Sequence, residues 1–279
     1  MGRSLAFQVL VLGAIGAFGA WLFVEQGQDV AWKTVGGHMV TFGVSAALAG
    51  LIVLAASRNA IQGRFVPVVL AALVFVNAMA LTYAPLVIDG FPEFGNLNWA
   101  GKTLTLVFLA ISFALLPTAL RRETGILSMP RAGSLRAVLV GLSVFAVLGV
   151  ALTFAGGTGD NLLEQTIFQL TLPSLSEEFL FRGILLALFL RVATGGRTVL
   201  GAPLGAPLIA TSLMFGLVHG FLFGPSVGFV FDPVPILATG VFGAAFAWLT
   251  LRSGSVWPAV IAHSLLNATG PALRLAGVV

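Results

Sequence analysis

Apolar residues in this chain come in long unbroken runs, not in the alternating or three-four spacing of a half-buried surface. A helix that crosses a bilayer needs about 20 of them. Such runs stand near 5–24, 37–57, 65–88, 103–120 and 137–154, each bounded by charged or Gly- and Pro-rich stretches and free of acidic or basic side chains inside. Four more, near 161–190, 202–223, 233–251 and 255–273, are apolar overall yet enclose Glu164, Glu177, Glu178, Arg182, His219 and His263. The pattern predicts an all-α polytopic membrane helix bundle of about eight transmembrane helices plus a C-terminal helix. It also divides the chain by content: 1–155 holds helices without motifs, 156–279 holds the chemistry, and the turn Gly156-Gly157-Thr158-Gly159 marks the boundary.

Composition strengthens that picture. Of 279 residues, 58% are hydrophobic and 9% charged, against about 25% charged in a soluble domain. So few charges cannot coat a water-facing surface, which excludes an ordinary soluble enzyme and makes the lipid bilayer the first partner. The net charge of +4 comes from arginines spread along the chain, so no nucleic-acid partner is implied. Cysteine is absent, which removes disulfides, thiolate ligands and cysteine nucleophiles.

The basic residues also report topology. With Arg3 ahead of an uncleaved first span and the N-terminus inside, Arg58, Arg64, Arg121, Arg122, Arg131, Arg136, Arg191, Arg197 and Arg252 fall on the cytoplasmic side. Lys33, Lys102 and Arg274 fall opposite, and Arg182 stays within the membrane.

Charges inside an apolar helix need a reason, because each costs about 2.5–3.5 kcal/mol at the helix centre on insertion scales. In Pro173-Ser174-Leu175-Ser176-Glu177-Glu178-Phe179-Leu180-Phe181-Arg182, the proline suits a helix first turn, and Glu178 and Arg182 are four apart in the favoured order for an ion pair. Glu177 has no partner on its own helix. It must be protonated or face a polar cavity, where it is a candidate general base. The alternative is an ion-pair cluster that only locks helices together.

Two further pairs lie in the same half. Phe215 and His219 are four apart, as are His263 and Asn267, so each pair shares a helix face. Together they offer a base, two imidazoles able to bind a metal or donate hydrogen bonds, and an amide suited to an oxyanion. His38, at the end of the second run, reads as a satisfied structural residue. Glycines such as Gly216 and Gly220 mark places where helix backbones approach closely.

These motifs resemble those of the CPBP family of intramembrane proteases, which includes the CAAX prenyl endopeptidases and the bacterial Abi proteins. The family pattern is Glu-Glu-x-x-x-Arg, then Phe-x-x-x-His, then His-x-x-x-Asn or Asp, met here in order by Glu177, Glu178 and Arg182, by Phe215 and His219, and by His263 and Asn267. The likeness covers roughly residues 160–270. It implies an active site inside the bundle, open to the cytoplasm, that hydrolyses a peptide bond. Glu177 and His219 would activate water, His263 and Asn267 would stabilise the oxyanion, and Glu178, Arg182 and Phe215 would support them.

The implied substrate is a prenylated-type C-terminal peptide, a bacteriocin-related peptide or another membrane protein, and the implied setting a bacterial inner membrane. Zn2+ held by Glu177, His219 and His263 and a metal-independent glutamate mechanism both suit this set.

Other intramembrane protease signatures fail: there is no His-Glu-x-x-His, no Gly-x-Ser-Gly, and the Gly157-Thr158-Gly159-Asp160 run has no second membrane-embedded Asp. The competing classes are a transporter, which intramembrane Glu, Arg and His would also suit but which should show inverted repeats, and a non-catalytic scaffold.

Overall fold

The computed structural model describes residues 29–57, 64–87, 95–155, 160–224 and 226–278. The first predicted span, near 5–24, and the Gly156–Gly159 turn lie outside the described residues. The helices are α1 (Asp29–Ala55), α2 (Phe65–Val87), α3 (Trp99–Leu115), α4 (Thr118–Glu123), α5 (Leu135–Ala155), α6 (Leu162–Leu170), α7 (Leu172–Glu178), α8 (Leu186–Leu190), α9 (Ala206–Gly220), α10 (Pro233–Ser253) and α11 (Trp257–Leu275).

Among the described residues, four segments are long and apolar enough to cross a membrane: Gly36–Ala55, Phe65–Leu86, Ala132–Phe154 and Pro233–Ser253. The chain is an integral membrane protein. Helices α3 and α9 are apolar but shorter, so the described residues leave the expected count of about eight spans unconfirmed.

The run near 161–190 is the most broken. Thr171, with φ −116° and ψ −87°, separates α6 from α7, and after Glu178 the chain continues as a π-helix over Phe179–Leu185. Such segments are rare and concentrate at functional sites.

Two antiparallel hairpins depart from a purely helical reading. Strands β1 (Arg197–Val199) and β2 (Ala202–Leu204) pair with Thr198 opposite Pro203, and β3 (Phe221–Gly224) and β4 (Gly228–Phe231) pair with Leu222 opposite Val230. The first turn places Leu200 and Gly201 at φ 49° and 83°, the double left-handed geometry of a tight hairpin. Pro203 and Gly205 then delay the next helix to Ala206, and Pro207 fits its first turn.

One hydrophobic core joins the two halves of the sequence, with Phe42, Phe75 and Leu109 packed into the same cluster as Phe181, Ile184, Phe215 and Val218. The motif-free helices are therefore walls of the same bundle. A Cβ on Gly220 would stand 2.5 Å from the Asp232 carbonyl oxygen, and one on Gly216 would strike that of Ile236, so these glycines let α9 and α10 touch backbone to backbone.

Candidate active site

Glu177 ends one helix turn after Pro173 has set the start of α7. Its carboxylate has a partner that the spacing of its own helix does not show: Lys102 Nζ donates to Glu177 Oε1 at 2.6 Å. Lys102, placed in a connection by the sequence reading, lies in the first turn of α3.

That turn is pinned from three sides. Asn98 Oδ1 accepts from the Gly101 amide at 3.0 Å, Asn98 Nδ2 donates to the Thr82 carbonyl at 2.7 Å, and Trp99 Nε1 donates to Glu164 Oε1 at 2.9 Å. The cap thus fixes the register in which Lys102 reaches α7.

Glu164, expected within an apolar run, instead sits at the start of α6 outside the spanning helices and gathers Asn96 and Asn161 as well. The Trp99 hydrogen bond holds its carboxyl below the usual carboxylate range.

Glu178 and Arg182 form the predicted pair, Nη1 to Oε1 at 3.1 Å with both side chains fully buried. The same Oε1 also accepts from His263 Nδ1 at 2.8 Å. Lys102 and Arg182 therefore balance Glu177 and Glu178, which makes the low-dielectric setting tolerable. Arg182 is further held by its guanidinium lying 4.3 Å from the Phe215 ring centroid. It fits there because α10 carries Gly243, where an added Cβ would stand 2.9 Å from Arg182 Nη2.

The histidine hydrogen bonds decide where the ring protons sit. His219 Nδ1 lies 2.6 Å from the Phe215 carbonyl oxygen, which can only accept, so Nδ1 carries the proton and the neutral ring keeps a lone pair on Nε2. His263 Nδ1 donates to Glu178 in the same way, and its Nε2 lies 4.0 Å from Glu177 Oε2. Glu177 Oε2 is buried and has no hydrogen-bond partner among the described residues. Phe246 stacks on the His263 ring, centroids 5.0 Å apart and planes 16° apart, while Asn267 Nδ2 donates to Gln169 Oε1 at 3.2 Å.

A cavity of about 430 Å³ is lined by Glu177, His219, His263 and Asn267, with Lys102 and Phe246 also on its wall. The structure thus brings these four sequence-identified residues, from three different helices, to one space. Phe215 also touches it, whereas Glu178 and Arg182 stand behind. Lys102, Gln169 and Phe246 were not singled out by sequence reasoning. Lys102 carried a signal, as a lone Lys at the edge of an apolar run, whereas an aromatic such as Phe246 looks like any core residue.

Among the described residues, no three His, Asp or Glu side chains are gathered as metal ligands. A divalent cation held by both oxygens of Glu177 would have to displace the Lys102 ammonium from Oε1, whereas Oε2 faces the His263 Nε2 at 4.0 Å.

His38 is the structural residue expected, with Nδ1 2.8 Å from the Thr34 carbonyl and its ring 4.7 Å from that of Tyr83.

Comparison with known proteins gives one result. Residues 159–269 match the family described as Rce1-like, type II CAAX prenyl endopeptidase. No curated protein and no solved structure matches the chain.

Proposed function

We propose that this chain, whose residues 159–269 match the Rce1-like family and support membership of the CPBP intramembrane proteases, is an intramembrane endopeptidase that hydrolyses its substrate with a water activated by Glu177 and His219. The observation that carries the reading is the shared cavity. A carboxylate oxygen without a partner, an imidazole with a free Nε2 lone pair, a second imidazole and an amide all line one space that can hold water and a peptide bond.

In the proposed step, Glu177 Oε2 or His219 Nε2 takes a proton from water as the oxygen attacks the carbonyl carbon. Asn267 Nδ2 leaves Gln169 to donate to the oxyanion, with His263 Nε2 as second donor when that ring is protonated. Collapse breaks the C–N bond and passes the captured proton to the leaving amine. Glu178 accepts the hydrogen bond from His263 Nδ1–H throughout and fixes the ring.

Hydrolysis in water labelled with ¹⁸O tests the reaction. Purified protein should place one labelled oxygen in the new carboxylate of a cleaved membrane peptide, and product without label would end the reading. The same turnover should persist after exhaustive chelation, because Lys102 already fills the role of cation at Glu177. Loss on chelation with recovery on adding Zn2+ would instead favour the metal-dependent form.

Lys102 supplies a separate check. Replacing it with Met should lower kcat about 10²-fold with little change in KM, since the base loses its position and substrate contacts remain. Lys102→Arg should recover much of that loss. Equal rates in both variants would make the ion pair a structural contact only.

A further inference from the structure

The two ends of the bundle are chemically unlike, and the catalytic cavity belongs to one of them. At one end the termini of α1, α4, α8 and α10 meet the starts of α5 and α11. Ser57 Oγ donates to the Val192 carbonyl at 3.0 Å, Arg191 pairs with Glu123, the Arg131 amide donates to the Ser253 carbonyl at 2.9 Å, and Trp257 Nε1 to the Ile126 carbonyl at 3.0 Å. That end carries Arg121, Arg122, Arg131, Arg136, Arg191 and Arg252, with Glu123 as its acidic residue among those described.

The opposite end joins the starts of α3, α6 and α10 to the ends of α5, α9 and α11. Asn96 binds Glu164, Arg274 donates to the Thr153 carbonyl, and the Asp232 amide donates to the Gly220 carbonyl at 2.8 Å. The start of α1 lies here too, and among the described residues this end carries Asp29, Asp160, Glu164 and Asp232, with Lys33, Lys102 and Arg274 as its cations.

The cavity is walled by the first turn of α3 at Lys102, the last turn of α5 at Leu152, the last turn of α9 at His219 and the second turn of α10 at Thr239. All four belong to the arginine-poor end. Toward the other end, Phe215 and the Glu178–Arg182 pair stand between it and the arginine-rich end. A separate recess of about 610 Å³ at the arginine-rich end, bordered by Arg122, Arg131 and Arg191, reaches as far as Arg182 from the other side.

Arginine-rich short connections stay on the cytoplasmic side. We propose that the catalytic cavity is entered from the extracytoplasmic face, so that its substrates are membrane-anchored or exported peptides presented there. This replaces the cytoplasmic entry that family resemblance suggests, and it rests on reading the cavity as the hydrolytic site.

The chain has no cysteine, so single-cysteine variants report position without background. In bacterial spheroplasts expressing the protein, a membrane-impermeant maleimide should label Val227→Cys, at a 70% exposed position on the β3–β4 turn, and Thr239→Cys in the cavity wall. Met129→Cys, at an 83% exposed position of the arginine-rich end, should react only after permeabilisation.

Labelling of Thr239→Cys only after permeabilisation, or under neither condition, overturns the proposal. So does early labelling of Met129→Cys. Labelling does not depend on turnover, whereas failure of the hydrolytic reading would show as product lacking ¹⁸O. An impermeant peptide added to intact spheroplasts should then be cleaved by the wild type and spared by Glu177→Gln; cleavage only after permeabilisation would place the substrate on the other side.

Discussion

Glu177→Gln should lower peptide hydrolysis by on the order of 10²–10⁴-fold, the usual contribution of a positioned general base, while leaving the protein folded. The side chain keeps its shape, and its amide oxygen can still accept from Lys102 as Glu177 Oε1 does at 2.6 Å. What disappears is the proton-accepting capacity of Oε2, the buried oxygen left without a partner among the described residues. The companion variant His219→Ala should fall to a similar level, and the double variant hardly further, because groups acting on one water are strongly non-additive. The measurement is kcat/KM on a membrane peptide in detergent or proteoliposomes, beside a melting curve for each variant. Undiminished turnover in Glu177→Gln would leave the protein a scaffold with a buried ion-pair cluster, or would move the base elsewhere.

The architecture was legible where one physical signal dominated. Long apolar runs marked α2, α5, α10 and α11 nearly to their ends, since α10 covers Pro233–Ser253 against an expected 233–251, whereas α1 already begins at Asp29 against an expected 37. The Glu178–Arg182 pair was legible because it is local to one helix. Lys102 was not, because its partner is 75 residues away and helical periodicity carries no information about which helices become neighbours. Its place at the edge of a run suited a topology marker equally well. The second bond of Glu178, to His263, is hidden for the same reason. The β3–β4 hairpin escaped because Phe221, Leu222 and Phe223 prolong the apolar pattern of α9, and apolar character alone does not distinguish a helix from a short strand. The π-helix after Glu178 has no compositional mark at all.

Arg182→Ala should be the most damaging substitution for stability, costing about 3–5 kcal/mol, the range for removing one partner of a buried pair. Arg182 is 1% exposed and Glu178 0%, so Glu178 would be left ionised in an apolar interior or forced to take up a proton. Either outcome reaches the active site, because the Glu178 oxygen that binds Arg182 is the one that accepts from His263 Nδ1. The void would also fall between Phe215 and Phe246, whose ring centroids lie 4.3 and 5.4 Å from the guanidinium carbon, and the packing that orients His263 would loosen with it. Arg182→Ala alone should therefore lower both the melting temperature and kcat. Adding Glu178→Gln should recover part of the stability by removing the orphaned charge, but little of the activity, because an amide replaces the carboxylate that fixes the imidazole. Thermal unfolding in detergent followed alongside turnover separates the two effects. An unchanged melting temperature in Arg182→Ala would mean that the pair does not hold the bundle, and full recovery of activity in the double variant would show that the Glu178 carboxylate does not orient His263.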